Sequence, residues 1–150
     1  MIDEVQVFNR IDEAIEPFEN YRKALDVLRQ LPPGYAMCFA SHYVHADILN
    51  GGISQLYANS TWSLILDAID AAEKGGVSTV AKVLKEIVFY YHQSGRSKLK
   101  RRISEGYFND MPDNWSKTFE QLDDEYFDLE SEVETVIPNL CKNHPEFFSE

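Results

Sequence analysis

Apolar residues recur in this chain at the period of an α-helix, and that repeat limits which folds are open to it. Val77, Val80, Leu84, Ile87, Val88 and Tyr91 fall on one face at 100° per residue. Gly75-Gly76 precedes this segment, and Gly95 is expected to stop it after His92. Ile65, Leu66, Ile69 and Ala72 form a second face, and Tyr21, Ala24, Leu25, Leu28 and Leu31 a third, expected to start near Pro17 and end at Pro32-Pro33. Residues 2–15 and 35–49 also read as helices. No stretch alternates with a two-residue period between hairpin turns, so a sheet has no support. The expected fold is all-α, a compact single-domain bundle of six to eight helices over residues 1–150.

Size and charge narrow the function. At 150 residues one core forms without disulfide staples, and the two cysteines, Cys38 and Cys141, read as reduced thiols. Twenty-five acids against fourteen bases leave a net charge of −11, which disfavours direct binding to nucleic acid or an anionic membrane. The longest apolar run, Tyr35 to Ala40, is too short to span a bilayer. The N-terminal residues lack the basic and apolar regions of a secretory signal, so a cytoplasmic protein is expected.

Catalytic signatures are missing from the sequence. His42 and His45 sit three apart, an acceptable pair of metal ligands, but a third ligand would have to come from elsewhere. Packing within the bundle is the simpler reading of both, and neither a metal nor a cofactor is expected. There is no nucleophile elbow, and neither Gly51-Gly52 nor Gly75-Gly76 leads into a phosphate-binding loop. The segment 50–59 reads instead as a helix junction. Gly51 and Gly52 after Asn50 allow a left-handed turn, Gln55 supplies an amide for backbone groups there, and Asn59 or Ser60 caps the helix containing Trp62.

Charge is segregated in the C-terminal half. Arg96 to Arg102 carries five bases and no acid, within a charged, Gly-containing stretch from 94 to 114 that reads as a long connection. From Asp110 to Glu134 there are ten acids and one base, Lys117. With Glu120 at 0° on a helical wheel, Leu122, Tyr126, Leu129, Val133 and Val136 fall within about 160–240°. The acids Glu120, Asp123, Asp124, Glu125, Asp128, Glu130, Glu132 and Glu134 occupy the rest of the wheel, and Phe127 lies among them near 340°. One helix from about Trp115 to Ile137, ended by Pro138, is expected to bury the stripe and show water an anionic face. Four like-charge pairs at i, i+4 on such a helix cost on the order of 1–2 kcal/mol in total. Either a solvated face or an electropositive partner explains acids at that density.

Two stretches together resemble a known family. Asn50-Gly51-Gly52-Ile53-Ser54-Gln55-Leu56-Tyr57-Ala58-Asn59 resembles the N-G-G-hydrophobic-x-Q-aromatic-aromatic-x-N signature of bacterial acidic DNA-mimic proteins, in their largely uncharacterised C-terminal helical domain. The segment 122–129 and the closing His144-Pro145-Glu146-Phe147-Phe148 resemble that family's acidic helix and H-P-E-x-F ending, so the likeness covers roughly residues 35–148. The resemblance implies an all-helical homodimer that imitates the charge of duplex DNA. Such a protein occupies the DNA-binding surface of a helix-turn-helix transcription regulator.

The expectation is a non-enzymatic interaction protein meeting a basic protein through Glu120, Asp123, Asp124, Glu125, Phe127, Asp128 and Glu132, with Asn50, Gly51, Gly52, Gln55 and Asn59 as a structural motif. An immunity- or antitoxin-like inhibitor of a basic toxin enzyme is the alternative. A small metal-binding hydrolase using His42 and His45 is the third.

Overall fold

The computed structural model describes residues 1–93 and 113–150, and the described residues are all-α. The basic run Arg96–Arg102, Gly95 and most of the expected 94–114 connection lie outside the described residues. Helix α1 (Glu4–Ile15) opens on a capping box. Asp3 Oδ1 accepts from the Gln6 backbone N–H at 2.8 Å, and the Asp3 N–H donates to Gln6 Oε1 at 2.9 Å. Helix α2 (Tyr21–Leu28) starts at Asn20 rather than near Pro17, because the Asn20 side chain caps it by accepting from the Lys23 N–H at 2.9 Å.

Helix α3 (Pro33–Ala58) is the centre of the molecule. Residues 34–41 are buried on every side, and an unbroken apolar run is suited to a helix that other helices surround. Helices α1, α2, α4 (Ile65–Lys74) and α6 (Asp113–Asp128) all pack on it. A 3₁₀ turn, Thr61–Leu64, joins α3 to α4, and α5 (Ser78–Gln93) packs back on α4 and α6. Val80, Leu84, Ile87 and Tyr91 are buried, as their spacing predicts.

The expected single helix from Trp115 to Ile137 is three pieces. Helix α6 stops at Asp128, α7 is the short Glu130–Val133, and α8 runs Val136–Asn143. Pro138 does not end a helix. It occupies the first turn of α8, where a backbone N–H has no intrahelical acceptor to lose. The breaks let the chain change direction while keeping the apolar stripe inside. Phe119, Leu122, Tyr126, Val133, Val136 and Ile137 are buried and Leu129 is half-buried.

The C-terminal end closes the bundle. In the final 3₁₀ turn, Pro145–Phe148, the Phe148 ring meets Tyr35 edge-on, with centroids 5.4 Å apart. The same ring lies against Gly34, where an added Cβ would come within 2.5 Å of it. Arg10 clasps Glu150 as a fork, Nη2 donating to Oε1 at 2.8 Å and Nε to Oε2 at 2.9 Å and to Oε1 at 3.3 Å.

Candidate interaction surface

Helix α6 turns Phe119, Leu122 and Tyr126 inward, which leaves Glu120, Asp124, Glu125 and Asp128 exposed on the opposite side. Glu120, Asp124 and Asp128 follow one another at i, i+4 and i+8, so their backbone positions lie about 6 Å apart along the axis. None of the three makes an ion pair among the described residues. Phe127 is 39% exposed, a large apolar side chain in the middle of these acids.

The face extends onto α5. Glu125 lies against Glu86 of that helix. Partial desolvation first, then the like charge of Glu86 and a hydrogen bond to it, hold the Glu125 carboxyl above its ordinary range against the pull of Lys82. Glu132 is half-buried and accepts from Thr79 Oγ1 at 3.0 Å, which fastens α7 to the start of α5.

Asp123 differs from its neighbours. It is half-buried, and its Oδ1 accepts from the Ile53 backbone N–H at 2.8 Å. That N–H is free because α3 kinks one residue earlier. Gly52 has φ 77° and ψ −175°, a conformation essentially confined to glycine, and a Cβ there would lie 2.6 Å from Asp123 Oδ2. The acidic helix is thereby pinned to the C-terminal part of the central helix, at its kink. Burial raises the Asp123 carboxyl above its usual range; the Ile53 N–H opposes that rise, and the charges of Asp124 and Glu120 add to it.

Beyond the kink, Thr61 is fully buried and its hydroxyl is close to both Asp47 Oδ2 and the Leu56 carbonyl oxygen, the latter at 3.2 Å. Gln55 does not answer backbone groups. Its Nε2 donates to Asp47 Oδ1 at 3.4 Å, a carboxylate of the same helix on the other side of the Gly52 kink. Asn59 ends α3, its N–H donating to the Gln55 carbonyl at 2.9 Å, while Asn50 and Gly51 are exposed. Neither Asn59 nor Ser60 caps the following turn through its side chain; Ser60 enters it with φ 63°, and Ser63 Oγ donates to the Ser60 carbonyl at 2.9 Å.

His42 and His45 share a stretch of α3 but have different surroundings. His42 is exposed and packs on the rings of Phe8 and Tyr43. His45 Nδ1 lies 3.1 Å from the hydroxyl of fully buried Tyr126, a tie between α3 and α6. Burial lowers the His45 pKa, opposed by Glu130 and Glu134 and assisted by His42. Asp47 takes part in the Thr61 network and not in this one. Among the described residues no three His, Cys, Asp or Glu side chains are placed to hold one metal ion.

Sequence reasoning missed the Asp123–Ile53, His45–Tyr126 and Asp47–Thr61 pairs. The first two join residues 70 and 81 positions apart, and no local pattern marks them. Among the described residues no helix is long and apolar enough to cross a membrane. The family model described as DMP19-like protein matches residues 29–144. No curated protein and no solved structure matches the chain.

Proposed function

This chain belongs to the DMP19-like protein family, and from that premise we propose that it is a non-enzymatic acidic protein whose α6 face stands in for DNA on a basic, DNA-binding protein. The observation that carries the reading is the exposed row Glu120, Asp124 and Asp128, with Glu125 beside it and Phe127 among them. Unpaired carboxylates about 6 Å apart offer a basic surface a ladder of anionic contacts. Phe127 adds an apolar anchor within the charged rim. The partner fits a helix-turn-helix regulator, as the family resemblance implies, and a homodimer would set two such faces in one assembly. Asp123 and Glu132 support the face from within: one caps the kinked helix and the other holds α7.

Density argues for that second face. Duplex DNA carries one charge per ~1.7 Å of axis. The nine residues from Glu120 to Asp128 hold five acids over ~12 Å of helix, about one per 2.4 Å. Glu86 on α5 and a second protomer would narrow the gap.

Competition with duplex DNA tests the proposal. A DNA-binding protein held on the immobilised chain at low salt should be displaced stoichiometrically by its own duplex site. Retention of both at once would contradict mimicry, because two ligands of one surface exclude each other. A retained nuclease or other toxin enzyme that DNA does not displace would instead favour the inhibitor reading.

A further inference from the structure

A second surface lies along the outer side of the α4–α5 hairpin. It is a groove of about 550 Å³ that follows α5 from Ser78 to Phe89, with Glu73 of α4 and Gly76 of the turn beside it. We propose that two copies of the chain meet in this groove, α5 against α5 and antiparallel. The interface goes beyond the reading of the α6 face and does not require that face to have a partner.

The groove is rimmed by apolar side chains that nothing in the fold covers. Leu66 of α4 is 68% exposed and Phe89 of α5 is 65% exposed. Glu73 lies seven residues after Leu66, Lys85 lies four before Phe89, and Glu73 and Lys85 form an ion pair. Each spacing returns to nearly the same side of its helix, so Leu66 and Phe89 share one face of the hairpin. Large exposed apolar groups beside a concave surface mark a contact site. Ala81 and Gly76 leave room at the other end of the groove, where an added Cβ on Gly76 would meet nothing within 4 Å.

Charge says what covers it. The chain carries a net charge of −11, so two copies repel one another across an acidic face. Helices α6 and α7 together hold eight acids and one base. The charged groups that line the groove are Glu73, Lys82, Lys85 and Glu86, two of each sign. A second copy can therefore approach here without the repulsion it meets at α6, whereas a strongly basic partner finds no net charge to answer. The order of the charges also fits a two-fold axis. With the axis at Leu84, Lys82 of each copy faces Glu86 of the other. The same register brings Phe89 level with Ser78 and Thr79 of the second copy, at the end where Gly76 and Ala81 leave room for a ring.

Sedimentation velocity on the full chain tests the interface. The wild type should dimerise reversibly. Phe89→Ser should weaken association tenfold or more, with circular dichroism unchanged. Lys82→Glu and Glu86→Lys should each do the same, because either reversal sets like charges against each other on both sides of the axis. An equimolar mixture of these two variants should recover the dimer, since every pair across the axis again unites opposite signs. A substitution that had merely damaged the fold would not be repaired by mixing. Neutralising Glu120, Asp124 and Asp128 should leave the dimer intact, so failure of the DNA-mimic reading would not remove this interface. A monomeric wild type, a dimer that all three single substitutions leave unchanged, or single reversals that mixing does not rescue would each overturn the proposal.

Discussion

Gly52 and Asp123 are each intelligible only through the other. The backbone at Gly52 frees the Ile53 N–H, and Asp123 comes from 70 residues away to accept it. Gly52→Ala meets both a disallowed conformation and the Asp123 carboxylate, so urea unfolding should show a loss of about 1–3 kcal/mol. Asp123→Ala leaves the N–H unanswered and should cost about 1 kcal/mol. Asp123→Asn keeps the acceptor, sheds a half-buried charge and should be close to neutral. Costs of equal size for the two Asp123 variants would contradict the capping role. The glycine doublet was legible as a turn because glycine alone tolerates such backbone. Its carboxylate partner was not, because a wheel drawn for one helix cannot show what packs across it. His45 has a pH signature of its own. Its folded pKa lies below the 6.5 of the unfolded chain, so the unfolded state takes up the proton first as pH falls. The contribution of the neutral ring is full above 6.5 and is lost as pH drops through the window below it. Glu130 and Glu134 oppose the shift and His42 adds to it. Unfolding free energy measured from pH 8 to 5 should fall more steeply in the wild type than in His45→Gln; equal slopes would contradict the burial argument.

At the level of the elements, periodicity found the helices and missed their ends. The α6 stripe was legible because burial selects apolar residues at a fixed angle, and Leu122, Tyr126 and Val133 are indeed inside. The breaks at Leu129 and Thr135 left the stripe intact, so the pattern could not reveal them. Pro138 misled because proline is as acceptable in a first turn as it is disruptive later. The break also changes the electrostatics. Asp128 and Glu132 are no longer one turn apart on a single helix, which leaves Glu120–Asp124 and Asp124–Asp128 as the like-charge pairs within α6. Removing them by Glu120→Gln, Asp124→Asn and Asp128→Asn should raise stability by about 0.4–1 kcal/mol at low salt. The gain should shrink as salt is added. A destabilised triple variant would mean that these acids hold the fold rather than face outward.

Across the whole molecule, an all-α bundle follows from the many helical faces and the missing hairpins, and α3 is central because its apolar run leaves no side for water. The C-terminal turn closes against it and against α1: Phe148 on Gly34 and Tyr35 of α3, Glu150 on Arg10 of α1. Phe148→Ala should cost about 3–5 kcal/mol in chemical unfolding while far-ultraviolet circular dichroism stays strongly helical at low denaturant. The H-P-E-F-F ending was visible in the sequence only as part of a family likeness, since an aromatic pair on a terminal turn has no period to betray its contact. The acidic face was visible as charge, and the structure adds which acids point out and which brace the helix. The measurement bearing most directly on mimicry is the salt dependence of affinity for a DNA-displaceable partner, compared between the wild type and a variant carrying Glu120→Gln, Asp124→Asn, Glu125→Gln and Asp128→Asn. The wild type should lose affinity steeply as salt rises. The variant should bind more weakly at low salt, chiefly through slower association, with a flatter slope. Identical affinities and identical slopes would show that the anionic face of α6 is only a solvated surface.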